Sequence, residues 1–561
     1  LLIWRYNRPL AINHIIFMDR RQFLTLSPDR NQSRNAASFA RTDTGLAPYT
    51  GNWESQQWIH LLKRTLFGVT PANINAFKSM TMQQAVDTLL TAQPDPTPPV
   101  NNYGVDDTGV TPGATWVRAP LGSEMLERKR IDSYKAWWTG QMINQPTSIH
   151  EKMVLFWHNH FVTETSMVND SRFIYQYNLT LRKHALGNFK ALTKAVTLDP
   201  AMLVYLNGYL NSKGAADENY ARELHELFTV GKGPDSHYTE DDVRATARVL
   251  TGFRVDRTNI VSLFDTTQHD LTNKEFSGFY LNKVISGKTG QDGATELDNL
   301  LDIIFAQPEV AKFICRKLYR FFVYYDIDQA TETNVIAPLA EIFRTSQFDI
   351  KTTLNALFTS EHFFDPLNMA CLIKSPADFC IGICREYGIT FPSDYPSRYN
   401  AWGAIHDSAA GMLQDFGDPP LVAGWDAYYQ APSYHELWIN TDTLPKRNKL
   451  SDSLISTGGF AGLHIDTIAF ASQLPHPEDP IALVSDSLDI LYRVGVSDKL
   501  KAFLKNSIIL FGQDPSSNYY WTDAWNTYKA SPGNATAKDN VESRLKALYK
   551  YIMDLSEYQL S

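Results

Sequence analysis

The chain has 561 residues, of which 43% are hydrophobic and 20% charged, a balance that excludes wholesale disorder. Its net charge of −9 leaves no basic footprint for neutralising phosphates, and local pairs such as Arg20-Arg21 and Lys446-Arg447 are too small to supply one, so nucleic acid is excluded as a partner. No stretch reaches the roughly 18 apolar residues of a membrane span, and four cysteines in so long a chain make no disulfide framework.

Residues 1–50 read as a leader without periodic apolar pattern, with the natural start at Met18. Arg20-Arg21-Gln22-Phe23-Leu24 has the form of a twin-arginine export motif, but Leu24-Thr25-Leu26 gives way at once to Ser27-Pro28, so the apolar half of a signal is missing. Export or a cell-envelope location is the expectation, with a cytoplasmic one still open. From Trp58, the residues Leu61, Leu62, Thr65 and Leu66 fall at helical spacing and stop at Gly68. Residues 93–115, rich in Pro and Gly, read as a surface loop, and helical patterns then run from about 123 to 252. Thr239 with Asp242 forms a capping box, and Asp217 is the N-cap expected for the helix upstream of it. Further helices are predicted at about 294–306, 309–325, 334–346 and 350–360. Residues 385–450 are irregular and aromatic, and Val541, Leu545, Leu548, Tyr549 and Ile552 mark a final amphipathic helix. The predicted class is all-α, a large multi-helix domain with long irregular loops, since no βαβ alternation supports a doubly wound sheet.

Several reagents of catalysis are missing. There is no G-x-S-x-G elbow and no H-E-x-x-H, and Gly287-Lys288-Thr289 lacks the glycine that a phosphate-binding loop needs at Asn282. Cys380 and Cys384, one turn apart in an apolar run, read as core thiols rather than a metal pair. The most polar helix is 217–229. At about 100° per residue, Tyr220, Leu224, Leu227 and Phe228 form its apolar arc, with Glu218, Arg222, His225 and Glu226 opposite. That polar arc is either a solvated face of i,i+4 ion pairs or the wall of a cleft carrying metal ligands or acid–base groups. His158 and His160 point about 200° apart on a helix and cannot share one ion. His160 falls on the apolar side, either as a satisfied core residue or as a ligand. His269-Asp270 with Lys274 sits in a polar loop, where function concentrates. Trp425, Tyr428, Tyr429, Tyr434 and Trp438 can stack on sugars or simply pack over the core.

These stretches, in order, resemble an uncharacterised bacterial family catalogued as domain of unknown function 1800. The resemblance runs from about His60 to Arg447. It is carried by Leu61-Leu62-Lys63-Arg64 through Phe67-Gly68, Trp157-His158-Asn159-His160-Phe161, and His184 to Phe189. Asp199 to Leu203, Glu218 to Glu223, Glu226 to Thr229 and Ala247 to Gly252 follow. His269-Asp270, Lys274, Lys374-Ser375-Pro376, Pro419-Pro420 and Gly424-Trp425 complete it. The chain departs from the pattern at Asp217, His225, Phe253 and Thr272, so His225 is left out of the candidate site. The resemblance implies a helical fold, frequent export and genes placed beside those of sulfatase-like proteins, but no reaction. It places the main family domain at 51–450, with 451–561 as a C-terminal helical extension packed on it.

Two functions remain open. One is a non-catalytic cell-envelope binding or assembly protein, partnered with a sulfatase-like protein or a glycan. The other is a metal-dependent hydrolase of the envelope. It would bind Zn, Mn or Fe through His160, Glu218, Glu226, His269 and Asp270, with Glu218, Arg222, Glu223 and Lys274 as catalytic candidates. Arg222 and Lys274 would then hold an anionic group.

Overall fold

The computed structural model describes residues 45–456 and 458–561. The leader prediction for residues 1–50, the start at Met18 and the Arg20-Arg21 motif therefore fall wholly or mostly outside the described residues. The described chain is predominantly helical, and its residues from 45 onward belong to one compact unit. Among the described residues no helix is long and apolar enough to cross a membrane.

The helix His150–His160 forms the centre, with every one of its residues buried. Trp157 donates from its ring nitrogen to the Ala185 carbonyl at 3.0 Å, and its ring stacks on Phe189. Glu151 pairs with Arg182 of the neighbouring helix Ser171–His184, so the polar side of the central helix is also neutralised internally. The longer helix Glu124–Ile143 packs along Tyr395–Gly411. Gly140 permits that approach, because a Cβ there would lie 2.6 Å from the Trp402 ring. A second close crossing joins distant parts of the chain. Gly68, at φ +78°, follows helix Ser55–Thr65, and a Cβ there would lie 2.7 Å from the Gly382 Cα in helix Pro376–Glu386.

The helix ends follow local chemistry. Asp242 and Thr239 form the expected capping box at the start of Glu240–Val249. Asp217 lies one residue before the N-cap, Glu218, and its carboxylate accepts from the Asn219 backbone at 2.8 Å. Two expectations need correction. First, 217–229 is not uniformly α-helical: Asn219–Glu223 is α, whereas Leu224–Thr229 is wound as a π-helix. The Thr229 hydroxyl bonds the Leu224 carbonyl five residues back, which supports this wider winding. Second, "all-α" is too strong. Phe253–Asp256 pairs antiparallel with Val261–Phe264, placing Phe253 opposite Phe264, and Lys274–Glu275 pairs with Val284–Ile285. The loop between these hairpins carries His269 and Asp270.

The C-terminal stretch is tied to the rest by buried polar contacts. Helix Ala535–Asp554 packs on Thr443–Ile455. The Tyr558 hydroxyl donates to Glu386 at 3.0 Å, and the Lys374 backbone donates to the Gln559 carbonyl at 2.7 Å.

Candidate functional site

The polar face of 218–226 is a surface ion network. Arg222 grips Glu240 with both terminal nitrogens, at 2.8 and 2.7 Å, and lies 3.1 Å from Glu218 and 3.7 Å from Glu226. Glu226 also pairs with Lys232, and Glu218 lies 3.7 Å from Arg244. Glu223 is half-buried, and burial followed by the nearby Glu226 raises its carboxyl above the ordinary range. His225 does not share this face. It is fully buried, with Nδ1 2.7 Å from the Tyr280 hydroxyl and Nε2 2.8 Å from Thr246. Tyr280, Thr246 and the stacked Tyr238 cover it, where the expected α-helical arc had placed it on an open polar face.

His160 is buried on the apolar side, as its spacing indicates. Its Nε2 lies 3.0 Å from the Phe228 carbonyl, so that nitrogen donates and Nδ1 accepts from the Lys317 ammonium at 2.9 Å. Lys317 also reaches the Leu227 carbonyl at 3.4 Å and lies over the Phe313 ring. Burial, then the nearby Arg320, pushes Lys317 down to about 7. Sequence reasoning missed this lysine because it is 157 residues from His160.

The hairpin loop is a closed network. The His269 Nδ1 lies 2.9 Å from the Thr251 carbonyl, and its Nε2 lies 3.1 Å from Glu296. Lys274 is fully buried and reaches Glu296 at 2.6 Å and the Asp270 carbonyl at 2.5 Å. The Asp270 carboxylate points elsewhere, to Arg248 at 2.9 Å. Although burial opposes ionisation, the Arg248 and Thr272 bonds hold Asp270 down at about 2. Glu296 is the missed member here. The buried ammonium of Lys274 is matched by this carboxylate, which lies 22 residues downstream, beyond any local spacing signal.

The candidate ligands thus belong to three bonded groups. Glu218 and Glu226 come together around Arg222, His269 and Asp270 flank Thr251, and His160 faces Lys317. Among the described residues, no three His, Cys, Asp or Glu side chains are grouped so as to hold a metal ion. The four cysteines are free, and burial pushes the Cys380 thiol up to about 12.

A different site emerges where Leu61–Arg64 and Lys374–Pro376 meet. Lys63 and Arg64 end the helix Ser55–Thr65 and face a cleft of about 40 Å³, whose other walls include Arg320, Ser375, Tyr428 and His435. Six cations gather in and behind it: Lys63, Arg64, Lys152, Arg320, Lys374 and Arg447. They form two ion pairs with side-chain carboxylates, Lys63–Glu386 at 2.9 Å and Lys152–Asp378. The other four make none among the described residues. Lys374 instead lies 3.8 Å from the Tyr558 ring centre, Arg447 lies over Phe379, and Arg320 lies over Tyr434. Burial, assisted by neighbouring cations and opposed by Glu386, pushes Lys63 down to about 7.

Arg64 is 4% exposed. Its Nη2 donates to the Asn368 carbonyl at 2.8 Å and to the Cys371 thiol at 3.1 Å, while Nε and Nη1 have no protein acceptor. His435 accepts at Nδ1 from the Ile373 backbone at 3.1 Å, so its neutral ring carries hydrogen on Nε2, which also lacks a protein partner. Burial and then Arg64 hold its imidazole down at about 4. The aromatic stretch divides accordingly: Trp425 and Trp438 are buried, at 2% and 3% exposure, whereas Tyr428 and Tyr434 are half-buried at the cleft. The sequence had offered Lys63, Arg64 and Lys374 only as marks of resemblance.

A family model described as "Protein of unknown function (DUF1800)" matches residues 60–560, which carries the likeness beyond Arg447 to nearly the end of the chain. Neither the curated proteins nor the solved structures contain a match.

Proposed function

We propose, on the premise that this chain belongs to the DUF1800 family of proteins of unknown function, that it acts by binding rather than catalysis, as a cell-envelope protein that holds an acidic glycan at the cationic–aromatic cleft. The observation that carries this reading is the set of donors at Arg64 and His435, buried yet without protein acceptors. A buried donor left unbonded costs about 1–3 kcal/mol, a cost that a ligand acceptor removes. The half-buried rings of Tyr428 and Tyr434 beside them suit the apolar face of a sugar that lies outside the cleft while its acidic group enters it. The carboxylates and imidazoles first considered for catalysis support the same reading, because most are engaged by partners within the fold.

The test is retention of the full chain on immobilised sulfated and uronate polysaccharides, with a neutral polysaccharide as control. Retention on the acidic supports, weakened in Arg320→Gln, is the expected result. Failure on every support removes the glycan reading. Capture of a sulfatase-like protein without glycan retention transfers the role to assembly, and stoichiometric bound metal with hydrolysis of the support restores the hydrolase alternative.

A further inference from the structure

The cleft constrains the chemistry of its occupant more narrowly than "acidic" does. A buried cation without a counter-charge is among the costliest features a fold can carry. Here Arg64, Arg320, Lys374 and Arg447 make no ion pair among the described residues, and the two nearby carboxylates, Asp378 and Glu386, are bonded to other lysines while acting on Lys374 only from a distance. Asp378 is further committed to the Ser375 hydroxyl at 2.9 Å. Donors line the cleft from three elements. Arg64 comes from the end of helix Ser55–Thr65, Arg320 from helix Pro308–Phe322, and His435 from the turn Tyr434–Trp438. Each is held by another of its own nitrogens: Arg64 by Asn368, His435 by Ile373, and Arg320 by the Tyr325 carbonyl at 3.2 Å. The donors are therefore fixed in place before any ligand arrives.

Size gives the second constraint. A water requires about 10–15 Å³ of such space, so about 40 Å³ admits a few water-sized groups but no sugar ring. A small group bearing several acceptor oxygens satisfies both constraints. We infer that this cleft is an oxyanion subsite, in which Arg64, Arg320 and His435 grip the sulfate, phosphate or carboxylate at the end of a larger ligand. The inference rests on the binding reading above for the larger ligand, but the subsite stands on its own geometry. Free anion and sugar-borne anion share this chemistry, and the experiment separates them.

Isothermal titration of the full chain with sodium sulfate, phosphate and acetate, each against sodium chloride at equal ionic strength, tests the subsite. The same groups carried on a monosaccharide, as a sugar sulfate, a sugar phosphate and a uronic acid, form the second arm. Saturable one-to-one binding of at least one anion is expected, weakened by about tenfold or more in Arg64→Gln and in Arg320→Gln. Arg320 is half-buried at the cleft, so its variant keeps the test decisive even where Arg64→Gln fails to fold. Tighter binding of the sugar-borne group supports an occupant that extends along the aromatic wall, whereas equal affinity supports the free ion as occupant. Heats indistinguishable from chloride in both arms, or affinities unchanged in Arg320→Gln, overturn the subsite. Anion binding without retention on polysaccharide leaves the subsite standing and removes the glycan reading.

Discussion

Two buried charge clusters in this molecule treat their lysines in opposite ways. Around Glu296, Lys274 and His269 share one carboxylate whose second oxygen also accepts from Lys274, and no charge is left over. Arg130, bonded to both Asp107 and Glu127, follows the same rule elsewhere. Around Arg64 the rule fails, because cations outnumber carboxylates and rings stand in for partners. Lone buried cations such as Lys317 and Arg385 are met by carbonyls or a ring nitrogen, whereas around Arg64 several cations crowd together with donors left unbonded, which is where an acceptor from outside fits. A closed network spends its charges on stability, while an open one keeps them for recognition.

The sharpest way to break this contrast is one substitution made at two lysines. Lys274→Met strands Glu296 without its strongest partner and is expected to cost about 3–5 kcal/mol in chemical denaturation. A loss below about 1 kcal/mol would show that the network is not closed. The next effect is on pH dependence. Lys63 and Lys317 are both pushed down to about 7, below their unfolded value near 10.4, so between these limits the unfolded chain binds more protons. Stability is therefore lowest below pH 7 and rises with pH towards about 9.5, by up to about 1.4 kcal/mol per pH unit for each lysine. Above pH 10, tyrosines raised by burial, such as Tyr134 and Tyr387, reverse the trend. Thermal melts of Lys317→Met should lose one lysine's share of that slope; an identical slope would show that Lys317 does not titrate abnormally. Third, Lys374→Met behind the cleft should change stability by less than about 1 kcal/mol, far less than Lys274→Met, because Glu386 keeps its bonds to Lys63 and Tyr558. Two equal losses would erase the distinction between the clusters. The smallest effect is expected at Arg222→Ala, within about 1 kcal/mol despite its three carboxylate neighbours, because the pairs are exposed.

Much of the fold was legible because its signals are local. The Thr239–Asp242 box, the Gly68 stop and the apolar face of 541–552 each lie within a few turns of chain. The π-winding of Leu224–Thr229 was not legible, since no residue spacing announces it, and neither was the burial of His225, which Tyr280 and Thr246 impose from 55 and 21 residues away. The two hairpins escaped because their strands span four residues or fewer, too short for alternation to show. The polar groups at Arg222 and Lys274 were correctly singled out as unusual, but their partners Glu240 and Glu296 were not. The cleft was least legible of all. Its charges lie between positions 63 and 447, too far apart for any local spacing to link them, and only the crossing of distant helices brings them together.

That crossing has a consequence of its own. Gly68 and Gly382 touch backbone to backbone, a few residues from Arg64 on one strand of the contact and from Ser375 on the other. The contact sets how closely the two segments bearing these residues, the jaws of the cleft, can approach. Alanine at position 68 would insert a shim there, altering the gape of the jaws while leaving every charged side chain in the sequence unchanged.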